Sequence, residues 1–162
     1  MRWLLLDRID ELVPGEHALG VKAWTYSEPY FQDHFPGFPV VPGVLLLESM
    51  AQLSGKLIGY TVRKQRGDWP FPIFSMAEKV KFRRFVKPGQ VVQVHSRFIS
   101  LRDESAAMRV RATLDGKVVA QAEETFVFNA VKLEDPGEAE RVERLERKAL
   151  ALLWEGLPAE DR

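Results

Sequence analysis

Alternating apolar and polar residues predict strands in two regions of the chain. Residues 90–102 and 106–114 place apolar side chains at every second position, which is the period of a strand with one buried face. Asp115-Gly116 follows the second of these segments and is a strong hairpin signal. Because short turns link the later strands, we expect an antiparallel sheet. The predicted strands cover residues 4–12, 18–26, 73–86, 90–102, 106–114 and 118–130.

Residues 44–66 have a different pattern. They contain no proline, and their apolar side chains occupy most of the helical circumference, which predicts a long helix buried on nearly all sides. Arg63, Lys64 and Arg66 suit the negative end of the helix dipole, and Gly67 is expected to end the helix. We therefore predict an α+β domain in which one antiparallel sheet curls around a central helix. One sheet edge or the outer sheet face would remain available for a symmetric dimer.

A second helix is predicted near the C-terminus, over residues 138–155. Its apolar side chains recur at three- and four-residue steps and form one stripe. We expect this helix to dock on the sheet of its own chain, with a neighbouring subunit as the alternative. The sequence thus predicts a main domain over residues 1–131 and a helical extension over residues 132–162.

Residues 27–43 form a long segment with four prolines and two glycines between the second predicted strand and the central helix. Proline and glycine at this density exclude regular structure and predict a shaped loop. Loops of this length inside compact domains are usually functional. This loop is therefore the first place to look for chemistry.

Composition excludes several function classes. The chain has no cysteine, which removes disulfides, thiol nucleophiles and thiolate metal sites. The 23 Lys and Arg residues equal the 23 Asp and Glu residues in number, which disfavours a protein that binds nucleic acid over its whole surface. The apolar stretch at 38–47 is interrupted by proline and glycine, so no membrane span is predicted, and the N-terminus lacks a signal-peptide core. We expect a cytoplasmic protein.

The neutral net charge conceals a basic region. Residues 61–102 contain ten Lys and Arg residues against two Asp and Glu residues. Lys79, Lys81 and Arg83 alternate on one predicted strand, and Arg84 follows. Clustered cations steer association with an acidic partner, although a solvated strand face is the simpler interpretation.

Two titratable residues flank the start of the central helix. His34 lies in the proline-rich loop, and Glu48 lies one turn into the helix among apolar residues. Imidazole acts as a base near neutral pH, and a carboxyl group that loses its solvent is held protonated and acts as an acid. The helix begins near Gly43, where backbone N–H groups without helical acceptors can polarise a carbonyl oxygen. The combination predicts a proton-abstracting and proton-donating pair.

Residues 34–52, HFPGFPVVPGVLLLESMAQ, closely resemble the active-site signature of the (3R)-hydroxyacyl-acyl-carrier-protein dehydratases of fatty-acid synthesis, which have the hot-dog fold. The resemblance extends over most of residues 3–130. It implies that His34 removes a proton from C2 of an acyl thioester and that Glu48 protonates the departing C3 hydroxyl. The backbone amides near Gly43 and Val44 would hold the thioester oxygen. Gln52, one turn after Glu48, is a candidate to orient its carboxyl group or to satisfy local backbone.

The resemblance also implies an assembly and a partner. His34 and Glu48 of one site would come from opposite subunits of a homodimer, with a trimer of dimers as a larger form. The substrate would be carried on acyl carrier protein, for which Lys79, Lys81, Arg83 and Arg84 are the candidate docking patch. No metal or organic cofactor is expected. His17 and His95 are expected to be surface residues, because neither has ligand-type neighbours at metal-binding spacing.

Two residues depart from the family pattern and leave other functions open. Asp33 and Met76 stand where the family usually has glycine, which affects the loop before His34 and the access of the acyl chain. The alternatives are a specialised or non-catalytic protein that binds acyl thioesters and a thioesterase on the same scaffold. Ser49 lacks an acid–histidine pair at nucleophile spacing and does not support a serine hydrolase.

Overall fold

The computed structural model describes residues 3–128 and 136–161, and its central feature is one six-stranded antiparallel sheet. The strands follow the spatial order β1-β2-β4-β5-β6-β3, so β1 and β3 form the two edges. The strands are β1 (Arg8–Val13), β2 (His17–Ala23), β3 (Ile73–Phe82), β4 (Val91–Leu101), β5 (Ser105–Leu114) and β6 (Lys117–Val127). The helices are α1 (Gly43–Arg66) and α2 (Pro136–Leu153), with short 3-10 turns at Pro29–Gln32 and Ala159–Asp161.

Helix α1 packs against the inner face of the sheet, as the apolar pattern predicts. Met50, Leu53 and Leu57 have no solvent exposure and meet the inward side chains of β4, β5 and β6. The helix ends at Gly67, which has a φ of 84° and donates its N–H to the carbonyl of Arg63 at 2.9 Å. The predicted hot-dog architecture, a sheet wrapped around a long central helix, is confirmed. None of the described helices combines the length and apolar character that spanning a bilayer requires.

The N-terminal segment differs from the prediction. The predicted strand at 4–12 begins only at Arg8. Asp7 still donates its N–H to the carbonyl of Val21 on β2, but the backbone of Leu5 binds the central helix instead of a neighbouring strand. The backbone N–H of Leu5 donates to Gln52 Oε1 at 2.8 Å, and Ser49 Oγ donates to the carbonyl of Leu5 at 2.6 Å. The polar side chains of α1 thus hold the N-terminal segment along the helix.

Strand β3 is a sheet edge with an irregular register. A bulge between Glu78 and Lys81 places Lys79 at a φ of 53°, so the strict alternation predicted for Lys79, Lys81 and Arg83 is interrupted. The strand also ends at Phe82 rather than at residue 86. Large apolar side chains on this edge remain in solvent, with Met76 48% and Phe82 50% exposed.

The C-terminal helix α2 lies on its own chain, over α1 and β1. Lys56 on α1 forms an ion pair with Glu146 at 2.5 Å, and Tyr60 meets the ring of Trp154 edge-on at 5.5 Å between centroids. Leu150, beside these contacts, is buried in the same core as α1. The predicted domain boundary between residues 131 and 132 lies outside the described residues.

Candidate active site

His34 lies on the proline-rich loop, and backbone hydrogen bonds on both sides fix its position. Its N–H donates to the carbonyl of Tyr30 at 2.9 Å, and its carbonyl accepts from Val40 N–H at 2.9 Å. The ring atom Nδ1 lies 3.0 Å from the carbonyl oxygen of Val40. Because a carbonyl oxygen only accepts, Nδ1 carries the hydrogen and Nε2 keeps its lone pair. The half-buried ring therefore presents a base at Nε2.

Glu48 lies on α1, one turn after the helix begins, and its carboxylate is oriented through one oxygen. Oε1 accepts from Trp3 Nε1 at 2.8 Å and from Gln52 Nε2 at 2.9 Å. Within the described residues, Oε2 accepts no hydrogen bond and is the oxygen available to a substrate. Glu48 is half-buried in the protomer, whereas the apolar residues beside it in sequence suggest a more enclosed position.

Gln52 contacts the carboxylate of Glu48, and the backbone that it binds belongs to the distant N-terminal segment and is not local. Its amide nitrogen contacts Glu48 Oε1, and its amide oxygen accepts the backbone N–H of Leu5. Ser49 points to the carbonyl of Leu5 and takes part in the same attachment. Trp3, the second donor to Glu48, was not among the residues singled out from the sequence, because a contact over 45 positions leaves no local pattern.

The start of α1 presents two free backbone donors. In the described part of the chain, the N–H groups of Gly43 and Val44 donate no hydrogen bond, whereas those of Leu45 and Leu46 return to the carbonyl of Pro42. The N–H groups of the first helical turn point away from the helix at the positive end of its dipole. The ring of Phe82 covers Gly43 so closely that an added Cβ would lie 3.0 Å from three ring atoms. A side chain at this position would require the half-exposed ring of Phe82 to shift by a few tenths of an ångström.

Among the described residues of one protomer, no hydrogen bond or ion pair joins His34 and Glu48. Among the described residues, the side chain of His34 contacts Val40 and Phe35, and that of Glu48 contacts Trp3 and Gln52. Within the described protomer, the two side chains therefore have separate surroundings. No group of three or more His, Asp or Glu side chains within residues 3–128 and 136–161 is arranged to hold a metal ion.

The residues of the predicted docking patch are exposed at the β3 edge but are not equally free. Lys79 forms an ion pair with Glu123 at 2.8 Å, and Arg83 donates to Gln121 at 3.0 Å. Lys81 and Arg84 are exposed and form no ion pair with any described residue. These two cations are therefore the accessible members of the patch.

The remaining singled-out residues lie away from these contacts. His17 and His95 are half-buried on the outer face of the sheet, not fully at the surface, and Thr113 lies 3.3 Å from His95 Nε2. Asp33 is exposed beside His34, and Met76 is exposed on β3. Asp33 makes its backbone contact with Tyr30, so it completes the short 3-10 turn before the histidine.

The fold and the site define a FabA-like protein. The family model described as a FabA-like domain matches residues 1–123. A 3-hydroxyacyl-acyl-carrier-protein dehydratase FabZ from Syntrophotalea carbinolica is 42% identical over 126 residues, which cover 78% of this chain and 84% of that protein. The protein of the same name from Caldicellulosiruptor saccharolyticus is 40% identical over 78% of this chain and 88% of its own length. The chain belongs to the 3-hydroxyacyl-acyl-carrier-protein dehydratase family.

Solved structures support the fold independently of sequence. The dehydratase heterocomplex ApeI:P from Xenorhabdus doucetiae has a TM-score of 0.66 at 14% identity, over 86% of this chain and 89% of the compared chain. A hypothetical thioesterase protein from Streptococcus pneumoniae, solved with coenzyme A, has a TM-score of 0.58 at 15% identity, over 75% and 84%. At these identities the likeness shows the hot-dog scaffold, which dehydratases and thioesterases share.

Proposed function

We propose that this chain is the lyase that converts a (3R)-hydroxyacyl thioester of acyl carrier protein to the trans-2-enoyl thioester and water in fatty-acid synthesis. Family membership supports the reaction, and the hydrogen bond between His34 Nδ1 and Val40 supports the assignment of the base. Nε2 of His34 takes a proton from C2, and the C2–H electron pair becomes the C2–C3 double bond. The C3–O bond breaks, and Glu48 supplies the proton that makes the leaving hydroxyl water.

The backbone at the start of α1 stabilises the charge that develops in this reaction. As the proton leaves C2, negative charge accumulates on the thioester oxygen. The amides of Gly43 and Val44, which have no acceptor in the described chain, are fixed donors for that oxygen. Phe82 packs over Gly43 and covers one side of this position.

A homodimer completes the site. No hydrogen bond or ion pair joins the acid and the base within the described part of one protomer, and β3 presents an unpaired edge with exposed Met76, Val80 and Phe82. Exposed apolar edges of this length pair with another strand or invite aggregation. A second copy that pairs along β3 covers these side chains, and we propose that it supplies the Glu48 that faces His34 of the first copy.

The activity is tested by following both directions of the reaction with purified protein. We expect absorbance of the conjugated enoyl thioester to rise with hydroxyacyl substrate and to fall with enoyl substrate. A thiol reagent in a parallel assay detects hydrolysis. Release of free thiol without enoyl formation would indicate a thioesterase, and no turnover at any chain length would leave only a binding protein.

Docking of acyl carrier protein is proposed at Lys81 and Arg84. Reversing both charges with Lys81→Glu and Arg84→Glu should raise KM for the carrier-linked substrate about tenfold, because acidic partners are steered by exposed cations. KM for the same acyl group on a short synthetic thiol should not change. The control is Arg144→Glu, an exposed α2 residue outside the patch. Equal effects on both substrates would contradict docking at this patch.

A further inference from the structure

The outer face of the sheet brings like charges together. In the register of β4 and β5, Arg97 lies directly opposite Arg109, and His95 lies directly opposite Arg111. Like charges in directly opposed cross-strand positions destabilise a sheet. The solvent face of a strand accepts almost any polar residue, so this arrangement is not required by packing.

A nearby carboxylate, Glu123, neutralises only part of this charge. Glu123 on β6 lies 2.8 Å from Lys79 and 3.1 Å from Arg109, and both hydrogen bonds hold the pKa of Glu123 below its usual range. Its charge is therefore already shared between two cations. Arg97 and Arg111 are exposed and form no ion pair within the described residues. Their guanidinium groups are free to bind an anion from solution.

These residues line a groove rather than a flat surface. The outer-face groove has a volume of about 700 Å³, which falls in the usual range for small-molecule sites. It contains four permanent cations and two carboxylates. The charged and titratable residues that line it are Lys79, His95, Arg97, Arg109, Arg111, Glu16, Glu123 and His17.

We propose that the outer-face groove binds a small molecule that carries a multiply charged phosphate group. Arg97 on β4 and Arg111 on β5 are diagonal neighbours in this register. Diagonal cross-strand positions lie about 7–8 Å apart, within reach of long side chains, so both arginines can direct their guanidinium forks at one phosphate. Burial and the charge of Arg111 lower the pKa of His95, which makes it a neutral hydrogen-bonding neighbour on the groove floor. The bound anion would relieve the repulsion between Arg97 and Arg109, which lie directly opposite each other.

This site is separate from the proposed chemistry. Helix α1, with Glu48 and the free amides at Gly43, packs on the inner face of the sheet, and the groove lies on the outer face. The limited volume favours a small anion over the acidic surface of a protein. The proposal does not depend on the dehydratase activity, since binding is measured without turnover.

The test is calorimetric titration of the full chain with inorganic pyrophosphate in a phosphate-free buffer. We expect saturable binding to the wild type. The double variant Arg97→Ala/Arg111→Ala should bind at least about tenfold more weakly, because charge-assisted bidentate contacts are lost. Arg97→Lys/Arg111→Lys should recover part of the affinity. Arg144→Ala, which removes an exposed arginine from α2, should bind like the wild type.

Three results would overturn the proposal. One is no saturable binding to the wild type. Another is an equal loss of affinity in the Arg144→Ala control, which would show only unspecific charge attraction. The third is a change in assembly. If light scattering gives the double alanine variant a different mass from the wild type while its circular dichroism spectrum is unchanged, the groove face is a protein–protein contact instead.

Discussion

Replacing His34 by alanine is expected to lower kcat by about 10²–10⁴-fold, the usual contribution of a positioned general base. The substitution removes Nε2, the ring atom that the hydrogen bond from Nδ1 to Val40 leaves unprotonated. The loop should keep its shape, because the backbone bonds of residue 34 to Tyr30 and Val40 do not use the side chain. Steady-state dehydration rates at saturating substrate give the comparison.

His17→Ala is the matched control for this variant. His17 is another half-buried histidine, but it lies on the outer sheet face, with its ring nitrogens 3.6 Å from Glu11 and 4.0 Å from Glu16. We expect its kcat to stay within about twofold of the wild type, since a half-buried residue outside the site changes stability more than chemistry. A His34→Ala enzyme that keeps wild-type kcat would refute the assignment of the base.

Glu48→Gln tests the acid in the same assay and should produce a similar loss. The amide keeps an oxygen for the bonds from Trp3 and Gln52 but has no acidic proton to give to the leaving hydroxyl. Folding should therefore change little while dehydration slows. Because glutamine has nearly the same shape as glutamate, a loss of activity in this variant indicates a role in proton transfer and not in packing.

Mixing the two inactive variants tests whether the site is shared. If each site takes its histidine from one copy and its glutamate from the other, a heterodimer of His34→Ala and Glu48→Gln subunits has two different sites. One site contains both substitutions, and the other contains the wild-type histidine and glutamate. Activity should return to about half of the wild-type value per heterodimer. Heterodimers proven by mass spectrometry that remain inactive would show that the pair is not shared in this way.

The sequence predicts the fold well because the spacing of apolar residues along a strand or helix indicates which side chains are buried. The inward positions of β4, such as Val92 and Val94, are buried, and the apolar circumference of α1 is enclosed. Most of the site was also predictable, because His34, Gly43 and Glu48 lie in one short run of the chain. A local pattern of this kind can be recognised in the sequence without knowledge of the tertiary structure.

Contacts between distant segments were less predictable. The strand expected at residues 4–12 is shortened because Gln52 and Ser49 compete for its backbone groups. The bulge at Lys79 has no signal in the alternating pattern, which treats every strand as regular. Glu124 could have been found, since it occupies an inward position on β6 between the buried residues Ala122 and Phe126.

Glu124 is expected to make the stability of the protein fall as the pH rises. The side chain is 1% exposed, and its Oε1 has no hydrogen-bond partner in the part of the chain that the structure describes. Burial raises the pKa of Glu124 to about 8 despite a hydrogen bond with Ser54. An unfolded glutamate has a pKa near 4.5. The folded state therefore holds the proton more tightly, and ionisation opposes folding.

The hydrogen-bond geometry around Glu124 agrees with a protonated carboxyl group. Ser54 Oγ lies near three acceptors: the carbonyl of Met50 at 3.0 Å, Ser96 Oγ at 2.8 Å and Glu124 Oε2 at 3.1 Å. Ser54 has only one hydrogen to donate, which the Met50 carbonyl can take. If Glu124 is protonated, it and Ser96 both donate to Ser54 Oγ, and each hydroxyl hydrogen has an acceptor.

Glu124→Leu should therefore stabilise the protein by an amount that grows with pH. The free energy of unfolding of the wild type should fall by roughly 4 kcal/mol between pH 4.5 and pH 8 through this group, about 1.4 kcal/mol for each pH unit. The leucine variant lacks this loss and keeps a side chain of similar volume in the core. Urea unfolding at pH 5 and pH 9 should show a small difference from the wild type at pH 5 and a large gain at pH 9.

Glu123, the residue before Glu124, supplies the control, because its pKa is shifted in the opposite direction. Lys79 and Arg109 lower the pKa of Glu123, so its contribution to stability is lost only as the pH falls below the usual range of a carboxyl group. Glu123→Gln should change the unfolding free energy equally at pH 5 and pH 9. If Glu124→Leu also gives a difference that is constant over this interval, the buried carboxyl group does not titrate there, and its proton is not what the Ser54 cluster requires.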